Sequence, residues 1–278
     1  MEQQLQIEGI DVRIEGADQD QGQDTIVMLH GWPDTWRVWD GQVAALKERY
    51  RCVRFTLPGF DITRPRRAYS LDETMAIIAK IVDQVSPGRK VTLMLHDWGC
   101  VFGYQFYMRH PQLVSRIVGV DIGDAQSRDH VKSLSLAAKL MVAWYQLTLA
   151  AAWKIGGPIG DGLTKFMLKV LRAPSPKQYI SSAMNFPYYL VWTGGYGGKG
   201  DRTEFVPKCP MLFVYGTRKP FLFHSTQWTD WLAARPLSQV VALKTSHWVM
   251  LEQPQEFNQT VLAWLDASAV VAGVAAAA

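Results

Sequence analysis

One short stretch of the chain has the residue types and setting of a covalent catalyst. Leu95-His96-Asp97-Trp98-Gly99 lies where a buried apolar run turns directly into a helical pattern, which is typical of a nucleophile elbow. The common form of this elbow presents a serine, but here the residue is an aspartate. A carboxylate is already ionised at neutral pH, and the N-terminus of the following helix favours its charge. Asp97 is therefore the candidate nucleophile.

An aspartate in this position favours displacement at a saturated carbon. Attack by a carboxylate on an acyl carbon would give a reactive anhydride, whereas attack on an alkyl carbon gives a stable ester that water can hydrolyse in a second step. Opening of an epoxide or expulsion of a halide fits this chemistry. Because Asp is also a frequent helix N-cap, the local pattern alone leaves a purely structural role for Asp97 open.

Two further loops offer the groups that an ester mechanism needs. Residues 30–34 (HGWPD) follow the first buried strand pattern, and we expect the backbone amides of Trp32 and Trp98 to form an oxyanion hole. His247 follows the last strand pattern, where a general base that activates water is expected. Taken alone, each loop is also compatible with an ordinary turn. The order of nucleophile, acid and base along the chain is the one expected for this kind of sheet.

The elements that would position these loops alternate along the chain. Residues 5–14 read as an opening strand or hairpin, and buried β-rich runs cover residues 25–30, 52–57, 91–95, 116–121, 211–216 and 239–243. A helical pattern over residues 71–85 begins with Ser70 and Glu73, which predict a capping box. Continuous apolar strands separated by helices predict an α/β fold with a mostly parallel, doubly wound sheet that is covered on both faces.

The alternation is interrupted by residues 125–206, which carry helical patterns but no convincing strand. This stretch predicts a helical cap inserted into a core formed by residues 1–124 and 207–268. Its uncharged run, residues 140–153, indicates a helix that is buried or lines a pocket. Residues 269–278 are almost all Ala and Val, and we expect them to form a flexible tail.

Composition and charge narrow the class of protein. The 278 residues are 48% hydrophobic and 19% charged, which is typical of a globular chain that buries its own core. A net charge of +4 with one short basic patch at residues 64–67 gives no reason to expect nucleic acid. Three scattered cysteines, the lack of a signal-like N-terminus and the lack of a bilayer-spanning run predict a cytoplasmic protein with no membrane partner. No metal-ligand spacing is present, so we expect no metal or organic cofactor.

In combination, His30-Gly31-Trp32-Pro33, His96-Asp97-Trp98-Gly99 and His247 resemble motifs of the α/β-hydrolase fold enzymes. Within that superfamily they resemble the epoxide hydrolases and haloalkane dehalogenases, and the resemblance covers the chain after about residue 24. It favours an epoxide hydrolase, because the dehalogenases usually carry an Asn that donates to the leaving halide at the position of Trp32.

The resemblance also implies two cap tyrosines that donate to the epoxide oxygen. Tyr145, in Trp144-Tyr145-Gln146-Leu147, matches the first. The second follows an Asn-aromatic pair, and residues 184–189 (MNFPYY) leave a choice between Tyr188 and Tyr189, of which we choose Tyr188. An alkoxide leaving group is far more basic than a halide, so epoxide opening needs an acid. Ordinary aromatic packing is the alternative role for both tyrosines.

The position of the acid that would orient His247 departs from the family pattern. The family usually places it after the strand at residues 211–215, but residues 216–221 (GTRKPF) contain no carboxylate. Some dehalogenases place it after the preceding strand, where this chain has Asp121 and Asp124. We expect Asp121 to serve, with Asp124 as the second choice. Leu95 is a further departure, because a smaller residue is preferred two positions before the nucleophile.

Three functions follow from these motifs. The first is an epoxide hydrolase that makes vicinal diols from a small apolar epoxide. The second is a haloalkane dehalogenase that uses the same ester, and the third is a non-catalytic ligand-binding protein on the same scaffold. An apolar substrate is suggested by the aromatic cap residues Trp144, Trp153, Phe186 and Trp192. The oligomeric state is left open, with a homodimer among the options.

Overall fold

The computed structural model describes residues 2–16, 23–125, 127–194 and 203–276, with side chains as far as Ser268. Its strands are β1 (Glu2–Ile7), β2 (Ile10–Gly16), β3 (Thr25–Leu29), β4 (Arg51–Phe55), β5 (Val91–His96), β6 (Val114–Val120), β7 (Met211–Gly216) and β8 (Gln239–Leu243). They form a sheet of order β1-β2-β4-β3-β5-β6-β7-β8. β2 pairs antiparallel with β1 and β4, and the remaining pairs are parallel. The prediction of a mostly parallel sheet is confirmed.

Helices cover both faces of this sheet. They are α1 (Asp40–Leu46), α2 (Leu71–Val85), α3 (Trp98–Arg109), α4 (Arg128–Ser133), α5 (Leu136–Ile155), α6 (Gly157–Leu171), α7 (Phe186–Thr193), α8 (Thr226–Ala233), α9 (Val249–Glu252) and α10 (Pro254–Ala276). Alternate residues of β3 reach the two faces. Ile26 and Met28 pack with α1 and α10, whereas Val27 and Leu29 pack with α2 and α3. The sheet is therefore doubly wound.

Among the described residues between β6 and β7 lie four α-helices, α4 to α7, which are called the cap below. Within this interval, residues 127–194 and 203–210 are described and contain no strand. α5 packs against both α6 and α7. The uncharged run of α5 is less buried than predicted, because Leu140, Trp144 and Leu147 are all exposed.

The ends of two helices bear on predictions from the sequence. The predicted capping box of α2 is confirmed: the Ser70 hydroxyl accepts from the Glu73 amide at 3.1 Å, and Glu73 accepts from the Ser70 amide at 2.8 Å. α10 continues to Ala276, so its backbone includes most of the segment that we expected to be a flexible tail. Within the described ranges, no helix has both the length and the apolar character needed to cross a membrane.

The approach of α3 to β3 requires a glycine. A Cβ added to Gly99 would lie 2.1 Å from the carbonyl oxygen of Leu29, and backbone cannot yield as a flexible side chain can. We expect Gly99→Ala to lower the free energy of unfolding by about 2–3 kcal/mol, measured by urea denaturation. Gly41→Ala, in α1, is the matched control. Nothing lies within 4 Å of its added Cβ, so it should stabilise slightly. Equal effects of the two substitutions would contradict this account of the packing.

Candidate active site

Asp97 lies at a sharp turn between β5 and α3. Its backbone has φ 53° and ψ −120°, a conformation that is strained for a residue with a side chain. Gly31 permits the close approach of the loop opposite, because an added Cβ would lie 2.3 Å from Asp97 Oδ1. The larger residue at Leu95 is accommodated by Gly103, whose added Cβ would lie 2.4 Å from a Leu95 methyl carbon. The departure at Leu95 therefore leaves room for a tight elbow.

The two carboxylate oxygens of Asp97 have different partners. Oδ1 accepts a hydrogen bond from the Trp32 amide at 2.6 Å, whereas Oδ2 lies 3.3 Å from His247 Nε2. The side chain is 16% exposed. Burial opposes its ionisation, but the hydrogen bond and charge of His247, assisted by the Trp98 amide, lower the pKa of Asp97. The carboxylate is therefore held as an anion at the carboxyl edge of the sheet.

Asp121 contacts the other side of the His247 imidazole. Its Oδ2 lies 2.5 Å from His247 Nδ1, and its Oδ1 accepts from the Gly216 amide at 2.9 Å. The side chain is fully buried, and the backbone φ is 69°. Asp124, the second choice, is used elsewhere: it accepts from the hydroxyls of Ser127 and Ser225 at 2.6 and 2.7 Å. Of the two carboxylates, Asp121 has the geometry to orient His247.

Lys219 occupies the loop in which the family pattern would place its acid. Its ammonium forms an ion pair with Asp121 Oδ1, and its side chain is only 6% exposed. Burial would raise the pKa of Asp121, but the charges of Lys219 and His247 outweigh burial and hold that pKa well below its usual range. The loop after β7 thus supplies a cation, whereas the carboxylate that it pairs with lies at the end of β6.

The two carboxylates together control the protonation of His247. Burial disfavours the imidazolium, but the charges and hydrogen bonds of Asp121 and Asp97 raise the pKa of His247 to about 9. In the resting protein the imidazole is therefore protonated at neutral pH, with one carboxylate at each ring nitrogen.

A second buried layer supports this histidine. His96 Nε2 lies 3.1 Å from the His247 carbonyl oxygen, and burial together with the charge of His247 lowers the pKa of His96 to about 3. Asp34 accepts from the Trp248 indole at 2.9 Å, and burial raises its pKa to about 6. His96 is thus neutral. His96 and Asp34 both contact the loop that carries His247.

The cap contributes two tyrosines above Asp97. Tyr188 contacts the rings of Trp98 and Trp32 edge to face, with centroids 5.2 and 5.9 Å away, and the Tyr145 ring lies 6.2 Å from that of Tyr188. Burial and the Asp97 charge raise the pKa of Tyr145 to about 12, and the same causes raise that of Tyr188. Both phenols therefore carry their protons at neutral pH and can donate them.

Tyr189 has a different environment from its neighbour. Its ring packs on Trp153 with centroids 4.6 Å apart. Trp144 and Trp192, which suggested an apolar pocket in the sequence, are each 47% exposed. These two residues are thus too exposed to line an apolar pocket. The rings of Trp32, Trp98 and Tyr188 form the apolar surroundings instead.

The loop that carries Trp32 also contacts the cap. The Trp32 indole donates to Asn185 Oδ1 at 2.7 Å, and the Asn185 amide donates to the Thr164 hydroxyl at 2.8 Å. Both cap residues are fully buried. Sequence reasoning used Asn185 only as a marker for the second tyrosine, so this link was missed.

The structure thus brings Asp97, His247, Asp121, Tyr145 and Tyr188 together with the amides of Trp32 and Trp98. Lys219, Asp34 and His96 were not assigned a role from the sequence. In the sequence, the only sign of a role for Lys219 was its place in the loop where the family usually has an acid. Among the described residues, no group of three or more His, Cys, Asp or Glu side chains could hold a metal ion.

Comparisons with known proteins agree with this fold. The sequence model of the alpha/beta hydrolase family matches residues 26–260. "Epoxide hydrolase 2" of Caenorhabditis elegans is 31% identical over 258 residues, which are 84% of this chain and 72% of that protein. "Probable oxidoreductase EphD" of Mycobacterium tuberculosis is 34% identical over 110 residues, which are 38% of this chain and 18% of that relative, so less than a fifth of its length is spanned.

Two solved structures share the whole architecture. A mutant epoxide hydrolase from Bacillus megaterium, complexed with its diol product, has a TM-score of 0.67 at 19% identity over 95% of this chain and 100% of that chain. Epoxide Hydrolase A from Mycobacterium thermoresistibile has a TM-score of 0.67 at 19% identity over 96% and 98% of the two chains. At these identities the likeness shows the fold.

The coupling between Lys219 and His247 can be measured directly. We expect Lys219→Met to raise the pKa of His247 by about one unit, because a cation that opposes the imidazolium charge is lost and Asp121 is no longer shared. NMR titration of the His247 ring gives this value. Lys219→Arg keeps the charge, and Lys90→Met removes an exposed lysine, so both should retain the wild-type pKa. An unchanged or lower pKa in Lys219→Met would show that the ion pair does not act on the histidine.

Proposed function

The chain belongs to the alpha/beta hydrolase family, in its epoxide hydrolase branch, and from this premise we propose that it hydrolyses epoxides to vicinal diols through a covalent alkyl ester on Asp97. The observation that carries the proposal is the contact of His247 with both Asp97 and Asp121, at 3.3 and 2.5 Å. A nucleophile that ends as an ester needs a base beside it that can activate water.

The first step is attack by Asp97 Oδ2 on an epoxide carbon. Because Oδ1 is bound by the Trp32 amide, it becomes the ester carbonyl oxygen while already in the oxyanion hole. The ring carbon–oxygen bond breaks, and its electron pair goes to the ring oxygen. Tyr145 or Tyr188 donates the proton that converts this oxygen into a hydroxyl group.

The second step uses a change in the charge around His247. Formation of the ester neutralises Asp97, so one of the two charges that raise the pKa of His247 is lost and the pKa falls. The proton that His247 releases goes to the phenolate of the tyrosine that donated in the first step. Neutral Nε2 then takes a proton from water, whose oxygen attacks the ester carbonyl carbon, while Asp121 stabilises the imidazolium. Collapse of the intermediate breaks the bond to the diol oxygen, which takes up the second proton of the added water. Asp97 thereby returns as a carboxylate, and His247 keeps the first proton.

The surroundings of Asp97 favour a small apolar substrate. The rings of Trp98, Trp32 and Tyr188 meet beside it, and Phe223 lies 5.6 Å from the His247 ring. Binding sites of this kind, aromatic with a few convergent polar groups, suit apolar ligands.

The ester is tested by separating its formation from its hydrolysis. His247→Gln should still react with styrene oxide but hydrolyse the product slowly, so the peptide that contains Asp97 should gain the mass of the substrate. In the wild-type protein, turnover in oxygen-18 water should label Asp97, because water oxygen enters at its carboxyl carbon. The double variant Asp97→Ala/His247→Gln is the control and should show no adduct. Wild-type turnover without label in Asp97 would exclude the ester mechanism.

A haloalkane dehalogenase with the same ester is the second candidate, favoured by the position of Asp121 after β6. The tyrosines distinguish the two reactions. We expect Tyr145→Phe and Tyr188→Phe each to slow diol formation about a hundredfold, because an alkoxide needs a proton and a halide does not. Tyr189→Phe is the matched control, since its ring packs on Trp153, and should react at the wild-type rate. Halide release from a bromoalkane that is unaffected by the first two substitutions, with no diol from styrene oxide, would favour the dehalogenase.

A further inference from the structure

Large apolar side chains are most exposed on the outer surface of the cap. Leu136 and Leu140 of α5 and Ile159 of α6 are 72%, 62% and 74% exposed, the highest values among large apolar side chains of the described residues. Exposed apolar patches larger than a few hundred square ångströms are rare on monomeric soluble proteins, and they mark interaction sites.

Four exposed apolar residues of α5 form a stripe. Leu136, Leu140, Trp144 and Leu147 are spaced four, four and three residues apart and are all exposed, so they share one face of the helix. The opposite face carries Tyr145 and the fully buried Leu149. α5 therefore turns one side to the active site and an apolar side to solvent.

α6 carries a second exposed apolar stripe. It follows α5 directly through Gly156 and packs against it. Ile159, Phe166 and Val170 are exposed at spacings of seven and four residues, which again place them on one face.

The charges beside both stripes are positive. The exposed lysines are Lys139 and Lys154 on α5 and Lys165 and Lys169 on α6. The sequence of α5 contains no acidic residue, and that of α6 contains one, Asp161. Asp161 accepts hydrogen bonds from the amide and hydroxyl of Ser182 at 2.6 and 2.8 Å, so it is engaged within the cap. The surface is thus apolar and cationic.

Two half-exposed indoles lie in or beside the stripe. Trp144 lies within it, and the Trp192 indole donates to Gln146 Oε1 at 3.2 Å, which places Trp192 beside α5. Each is 47% exposed. Such rings, apolar with one polar tip, are enriched where an apolar phase meets water.

We propose that the solvent faces of α5 and α6 dock the cap onto a membrane that contains anionic lipids. The apolar stripes would enter the boundary between headgroups and acyl chains, and the lysines would reach lipid phosphates. The sequence predicted no membrane partner because it has no spanning segment, but a helix that lies in the interface needs none. Since vesicle binding is measured without substrate, this inference does not rest on epoxide chemistry.

A second copy of the chain fits this surface less well. In a twofold dimer the same patch meets itself, so the four lysines of one copy would face those of the other. Like charges brought together in an interface are unfavourable. An anionic bilayer neutralises these lysines instead.

The test is co-sedimentation of the full chain with vesicles of phosphatidylcholine alone or mixed with phosphatidylglycerol. The wild-type protein should pellet with the mixed vesicles and much less with phosphatidylcholine. The triple variant Leu136→Gln/Leu140→Gln/Ile159→Gln should lose binding, because its apolar contact is removed. Changing the four lysines to Gln should weaken binding by about several hundredfold, since each lysine near an anionic surface contributes about fivefold.

Two controls match these variants. Leu251→Gln changes an exposed leucine outside the cap, and Lys90→Gln/Lys244→Gln removes exposed lysines outside the cap, so both should bind as the wild type does. A wild-type protein that remains in the supernatant with mixed vesicles would overturn the proposal, as would undiminished binding of the triple variant. Gel filtration gives the remaining outcome: a wild-type dimer that the triple variant dissociates, without vesicle binding, would assign the surface to self-association.

Discussion

The site depends on keeping two buried carboxylates ionised on either side of one imidazole. Burial alone would protonate both acids and deprotonate the histidine, yet Asp97 and Asp121 have lowered pKa values and His247 a raised one. The charges achieve this for one another, and Lys219 adds a second cation beside the protonated His247. An anion buried without such partners would cost several kcal/mol. The same balance makes the histidine responsive, since neutralising Asp97 removes one of the two charges that hold its proton.

The register of the sheet brings these charges together. β5 and β6 pair with His96 opposite Val120, so the residues that follow, Asp97 and Asp121, emerge side by side at the carboxyl edge. Ligand sites of open α/β sheets lie at this edge. β7 and β8 pair with Gly216 opposite Leu243, so the loops that carry Lys219 and His247 also begin as neighbours. Four separate loops thus converge because parallel strands end at the same edge.

Much of this arrangement follows from local patterns in the sequence. The apolar strands, the capping box at Ser70 and the turn at Asp97 depend on residues close in the chain, and the structure agrees with them. Contacts between distant loops are harder to predict, because they depend on strand register and on how the cap sits. The Lys219 contact spans 98 positions, and the bond between Trp32 and Asn185 spans 153. The sequence could narrow the carboxylate partner of His247 to Asp121 or Asp124, but only the hydrogen bonds distinguish them.

Helix α5 shows why hydrophobicity alone could not predict its environment. Its residues are apolar on nearly all sides, a pattern typical of a buried helix, and periodicity cannot say which side faces a core. In the structure, Leu149 is fully buried while Leu140 is 62% exposed. An apolar outer face in water has an unfavourable free energy of hydration, whereas the inner face carries Tyr145. Both faces belong to the same helix. A partner that covers the outer stripe therefore contacts the helix that carries Tyr145.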